Sequence, residues 1–183
     1  MSGSLGLNNN YCGIDPNKNL VLALEKYGRF LKNNELTTAK YRILCQGSET
    51  FNPMLENQFE LSFTSPPYFN LEIYDNDDCE STKNYDNYEL WLEKFAKPTI
   101  ENTYKYLKVG GYAMINIKNL TRGKKEPLFD DWFKIFESIS GFEFVEVFEM
   151  KHQSKKNYTM NTNYDASAYH GFKEPIMVFR KKF

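Results

Sequence analysis

Phe59-Glu60-Leu61-Ser62-Phe63-Thr64-Ser65-Pro66-Pro67-Tyr68 is the stretch on which the reading of this chain turns. Phe59, Leu61 and Phe63 alternate with polar positions, the period of a strand. Two prolines then end it, because neither can donate to a sheet ladder. Pro66 keeps Ser65 out of the helical region and Pro67 does the same for Pro66, so the backbone beyond the strand runs extended. With no N–H at either proline, the segment offers carbonyl and hydroxyl acceptors and few competing donors. Tyr68 sets a flat ring beside them. Acceptors next to an aromatic face suit a planar group with an exocyclic amine, such as a nucleobase. The plainer reading is a strand that ends in a Pro-Pro turn, and the rest of the chain has to decide.

Upstream, Tyr11-Cys12-Gly13-Ile14-Asp15 is a short apolar run ending in an acid, and Leu20, Leu24, Tyr27 and Leu31 follow at helical spacing. Asp15 before Pro16 has two readings. One is an N-cap with proline at the first helical position. The other is a strand-end acid that hydrogen-bonds the ribose hydroxyls of a nucleotide cofactor. Tyr41 to Gln46 reads as a second strand, and a short helix through Leu55 leads to the strand that carries Ser65. Gly3 and Gly6 open the chain without a strand before them. They are read as the remains of a nucleotide-binding glycine loop, as the end of the helix after it, as an expression scar or as a frayed terminus.

Downstream, an acidic stretch from Glu72 to Asp86 reads as a surface loop near the site. Its crowded acids read as a solvated surface, with a metal site as the alternative. Tyr88, Trp91, Leu92, Phe95, Ile100, Tyr104 and Leu107 mark a helical face that Pro98 kinks or divides, with Gly110-Gly111 as its stop. Tyr112–Ile117 is the next buried strand. Leu128, Trp132, Phe133 and Phe136 mark another helix, and residues 142–148 and 175–180 are the closing strands. The polar segment between those strands holds Lys151, Lys155, Lys156 and Tyr158. It reads as a phosphate-contacting, base-stacking loop or as a solvated hairpin.

The chain has 183 residues, enough for one domain, 1–183, with a sizeable core. The formal net charge of -1 gives no global positive field, so any nucleic-acid contact needs a local basic patch. Three cysteines without CxxC spacing and two histidines exclude a zinc framework and a disulfide scaffold, and imply no metal. No apolar run has membrane-spanning length and no signal peptide opens the chain, so the expected location is the cytoplasm.

Ser65-Pro66-Pro67-Tyr68 resembles the catalytic motif of the DNA amino-methyltransferases, which move a methyl group from S-adenosylmethionine to the exocyclic amine of cytosine or adenine. Gly13-Ile14-Asp15-Pro16 is similar to that family's second motif. The resemblance covers residues 11 to 181 in the expected order. It implies a Rossmann-like class I methyltransferase sheet with helices on both faces. It implies S-adenosylmethionine as cofactor, with Asp15 on its ribose, Ser48 and Glu49 near its adenine, and Gly3, Gly6 and Ser65 also contributing. The residues alone leave Ser48 open as a helix cap. Ser65, Pro66, Pro67 and Tyr68 would be catalytic, DNA the substrate, and cytosine N4 favoured over adenine N6. RNA or protein amines stay open as targets.

One departure matters. The family's first strand, central in its sheet, has no counterpart, because only ten residues precede Tyr11. Those ten improvise a strand, a second chain supplies one, or the neighbouring strands close up. The same departure supports a contrasting reading, an inactive or truncated domain that keeps the fold and binds nucleic acid or a partner subunit.

Overall fold

The computed structural model describes residues 1–69, 85, 87–119, 126–150 and 174–183. The chain opens on a short helix, α1 (Ser2–Gly6), in which Leu5 is fully buried. Strands β1 (Tyr11–Asp15) and β2 (Tyr41–Cys45) pair in parallel, with Tyr11 opposite Tyr41 and Asp15 opposite Cys45. Helix α2 (Lys18–Asn33) makes the crossover between them. Its N-cap is Asn17, whose side chain accepts the Leu20 N–H at 3.0 Å. The helix therefore starts two residues later than an Asp15 cap would place it. Asp15 instead accepts the Asn17 N–H through Oδ1 at 2.8 Å and braces the turn that presents the cap.

A 3₁₀ turn, Pro53–Leu55, leads into β3 (Phe59–Thr64). The helical stretch that follows is split into α3 (Tyr88–Trp91), a π-helical turn (Leu92–Ala96) and α4 (Lys97–Tyr106). Pro98 is the physical cause. It has no N–H for the carbonyl four residues back and its ring crowds that carbonyl, so the ladder widens just before it.

Strand β4 (Leu107–Asn116) begins directly after α4 and runs through both glycines, so Gly110-Gly111 is not a helix stop. The β3–β4 register jumps from Phe59↔Leu107 to Leu61↔Tyr112, and Gly110 at φ 83° lies in the extra loop of backbone. A Cβ on Gly111 would meet the carbonyl oxygens of Lys108 at 2.9 Å and of Glu60 and Phe59 at 3.1 Å, so that irregularity needs glycine. After α5 (Leu128–Ser138) come β5 (Phe142–Glu149) and β6 (Pro175–Lys181).

The strands form a two-stranded sheet, β1-β2, and a four-stranded sheet, β3-β4-β6-β5. β3 and β4 are parallel, and β6 runs antiparallel to both β4 and β5. One face of the larger sheet, carrying Ala113, Ile115 and Phe179, packs on Trp91, Phe95, Ile100, Trp132, Phe133 and Phe136. Phe136 stacks on Phe179 with ring centroids 4.4 Å apart. The aromatics of these helices are core, as their spacing predicts. On the other face Leu61 and Phe63 remain 54% and 57% exposed, beside Tyr112 at 38%.

Among the described residues no strand pairs with the free edge of β1 or of β3. The first ten residues do not improvise a strand and the neighbouring strands do not close up. A cavity of about 600 Å³ lies between the sheets, lined by Tyr11, Cys12, Tyr41, Arg42, Phe59 and Glu60 among others. These lining residues lie at the amino ends of β1, β2 and β3, and Lys108 at the start of β4 joins them. All four strands thus begin on one side, and their carboxyl ends share the opposite edge.

Candidate active site

That shared edge carries most of the residues singled out in the sequence. Asp15 ends β1, half-buried, with Oδ1 committed to the Asn17 amide. Beyond β2, Ser48 does not cap a helix. Its hydroxyl shares a 2.9 Å hydrogen bond with Thr99 Oγ1, and its carbonyl accepts from Asn102 Nδ2 at 2.9 Å. Ser48 thereby ties the end of the small sheet to α4. Glu49 beside it folds its carboxylate over Gly47, where an added Cβ would come within 2.3 Å of Glu49 Oε2. That oxygen is buried and has no hydrogen-bond partner among the described residues. A buried acceptor in this state calls for a donor.

Beyond β3, Ser65 is exposed, Pro66 is buried, and Pro67 and Tyr68 are half-buried. The Ser65 hydroxyl donates to Asn116 Oδ1 at 3.5 Å, and the Tyr68 hydroxyl accepts the Lys118 N–H at 3.1 Å. Tyr68 also packs against the aromatic core. The segment is thus laid across the carboxyl end of β4. Sequence reasoning had no signal for Asn116, because its role depends on a contact 51 residues away.

Gly3 and Gly6 lie in α1, where a Cβ on either would meet nothing within 4 Å, so no close backbone approach requires glycine there. Lys151, Lys155, Lys156 and Tyr158 lie outside the described residues, as do Asp75, Asp77, Asp78 and Glu80. Among the described residues no group of three His, Cys, Asp or Glu could hold a metal, and no helix is long and apolar enough to cross a membrane. Burial pushes the Cys12 thiol up and Arg42 opposes it only in part, which disfavours the thiolate.

No family model and no curated protein sequence matches the chain. Solved structures do match. A methyltransferase from Pyrococcus furiosus aligns over 99% of this chain and 67% of its own, with TM-score 0.54 and 13% identity. A SAM-dependent O-methyltransferase from Thermotoga maritima aligns over 96% of this chain and 51% of its own, with TM-score 0.54 and 11% identity. The fold is that of the class I methyltransferases. A TehB-like SAM-dependent methyltransferase from Corynebacterium glutamicum gives the same fold, over 95% of this chain and 69% of its own, at TM-score 0.51 and 17% identity. A proposed DNA modification methylase from Thermus thermophilus aligns over 70% of this chain at 21% identity, with TM-score 0.45, and this chain covers 48% of it. The chain thus spans about half to two thirds of the length of these neighbours.

Proposed function

We propose that this chain is a cytoplasmic methyltransferase that moves a methyl group from S-adenosylmethionine to the exocyclic amine of a DNA base, with cytosine N4 favoured over adenine N6. The observation that carries it is the position of Ser65–Tyr68 on the edge that also holds Asp15 and Glu49. Open α/β sheets bind their ligands at that edge.

The residues present fit the cofactor in part. Glu49 Oε2, buried without a partner among the described residues, supplies the acceptor that an adenine amine or ribose hydroxyl needs. Asp15 has one oxygen beyond its bond to Asn17 for the ribose. Ser48, held to α4, sets the position of Glu49. Gly3 and Gly6, in α1 with open space where a Cβ would stand, are proposed to contribute to the same site. When bound, S-adenosylmethionine supplies an electrophilic methyl on a sulfonium.

The chain's own residues then act on the base. The Tyr68 ring offers a stacking face for a base swung out of the duplex. The Ser65 hydroxyl and the Pro66 carbonyl accept from the amine and stabilise the positive charge that develops on its nitrogen. Losing one such acceptor costs on the order of 10²–10³ in rate, by analogy with oxyanion-hole donors. Lys151, Lys155, Lys156 and Tyr158 are proposed to hold the phosphates and neighbouring bases. Labelled methyl transfer to duplex DNA by wild type and Ser65→Ala tests the reading. Equal incorporation by the two, or none by either, refutes it.

The divided sheet favours a second component. Exposed Leu61 and Phe63 flank an edge that no described strand pairs, and that edge faces the open edge of β1 across the cavity. A second chain that supplies a parallel strand would satisfy both ladders. The same observation supports the contrasting reading, a catalytically inactive domain that binds a partner subunit or nucleic acid. Calorimetry with S-adenosylmethionine separates the two, since only the enzyme needs to bind it.

A further inference from the structure

We propose that Asn116 is a positioning residue that fixes the Ser65 hydroxyl as an acceptor toward the target amine; this rests on the methyl-transfer reading. A serine hydroxyl has one proton to give and two lone pairs. Left free, it turns its proton to whatever acceptor is nearest, and in some of its orientations it would meet the amine as a competing donor. The surroundings of Asn116 remove that freedom. The side chain is 8% exposed, at the last position of β4, opposite Ile176 of β6. Its Nδ2 donates to the Pro175 carbonyl at 3.1 Å. A carbonyl can only accept, so the amide cannot flip, and Oδ1 must face Ser65. Ser65 Oγ lies 3.5 Å from that oxygen and donates to it. The bond is long, as such contacts often are before substrate tightens the site. Once the proton is spent on Asn116, the lone pairs of Ser65 point outward, which is what an amine acquiring positive charge requires.

A second tie makes the arrangement a clamp rather than a lone contact. Two residues beyond Asn116, the Lys118 N–H holds the Tyr68 hydroxyl at 3.1 Å. The end of β4 therefore grips both ends of Ser65–Tyr68, and β6 grips Asn116 in turn. The order of dependence runs from Pro175 to Asn116 to Ser65 to the amine, with Asn116 touching no reacting atom.

The test is a double-mutant cycle in steady-state methylation of duplex DNA, using Ser65→Ala, Asn116→Leu and both together. Asn116→Leu removes the acceptor at similar volume. It is expected to lower kcat about 10- to 100-fold, in line with the cost of slight misplacement of reacting groups, with KM for S-adenosylmethionine unchanged. In the Ser65→Ala background the same change should lower kcat no further, because Asn116 acts only through Ser65. Equal multiplicative losses in both backgrounds would overturn the proposal, as would wild-type kcat in Asn116→Leu. If Asn116→Leu does not fold, Asn116→Ser, too short to reach Ser65, is read by the same non-additivity criterion. A wild-type protein that methylates no DNA, or a Ser65→Ala protein at the wild-type rate, overturns the underlying reading and this proposal with it. A Ser65→Ala defect beside additive Asn116 effects overturns this proposal alone.

Discussion

Replacing Asp15 by asparagine separates a structural acid from a cofactor-binding one. In the structure Oδ1 of Asp15 accepts the Asn17 N–H at 2.8 Å, while the cap of α2 belongs to Asn17 itself. An amide oxygen accepts that N–H as a carboxylate oxygen does, and the two residues are near-equivalent in such turns. The fold should therefore lose little, within about 0.5 kcal/mol, the range of changes away from core features. The other end of the side chain changes from a carboxylate acceptor to an amide N–H donor. A hydrogen bond to a charged group contributes about 1.5–3 kcal/mol. At about 1.4 kcal/mol per decade, its loss weakens S-adenosylmethionine binding about 10- to 150-fold. Isothermal titration gives the affinity, and thermal unfolding without ligand gives the control. Equal affinity with equal stability would show that Asp15 serves only the turn. A large fall in ligand-free stability would show that the charge supports the fold.

Further expectations concern the aromatic, the basic segment and a buried lysine. Tyr68→Ala should severely reduce methylation with cofactor affinity nearly unchanged. Tyr68→Phe keeps the stacking face but gives up the acceptor that holds the Lys118 N–H, so a modest fall in kcat is expected and wild-type kcat would show that the hydroxyl is dispensable. Replacing Lys151, Lys155 and Lys156 by glutamine should flatten the salt dependence of DNA binding, by up to about 0.9 in slope for each phosphate no longer neutralised, and an unchanged slope would mean that the segment is merely solvated. Lys181 donates to the Leu107 carbonyl at 2.8 Å and to Asn57 Oδ1 at 3.1 Å, and its burial holds its pKa below the usual lysine range. Its protonated form is thus disfavoured by folding, fully so below the lowered folded pKa, and relief comes as pH rises from there toward the unfolded value. Urea midpoints of wild type relative to Lys181→Met should rise over that window, and a flat difference would contradict it.

Much of the fold is legible in the sequence because period and punctuation agree. Phe59, Leu61 and Phe63 alternate into two prolines, and β3 ends at Thr64. Trp91, Phe95 and Ile100 recur at helical spacing and are core. What the sequence hides is set by partners far along the chain. Gly110-Gly111 reads locally as a helix stop, yet both glycines run within β4, where a Cβ on Gly111 would meet the carbonyls of Glu60 and Phe59. Ser48 reads as a cap, yet Thr99 and Asn102 claim its hydroxyl and its carbonyl. At the start of α2 two nearby residues compete, and Asn17 takes the cap while Asp15 braces the turn. In the site, the residue types at Asp15, Ser65 and Tyr68 are readable from the resemblance. The grip of Asn116 and Lys118 on the motif is not, since neither position carries a local signature.

The central claim is methyl transfer to a DNA amine at Ser65–Tyr68. Its most direct test is incubation of the chain with methyl-labelled S-adenosylmethionine and duplex DNA, followed by nucleoside analysis of the digested DNA. The account predicts label in an exocyclic-amine product, N4-methylcytosine foremost, and its loss in Tyr68→Ala. Label confined to a ring carbon, or the same product at the same rate from Tyr68→Ala, would contradict it.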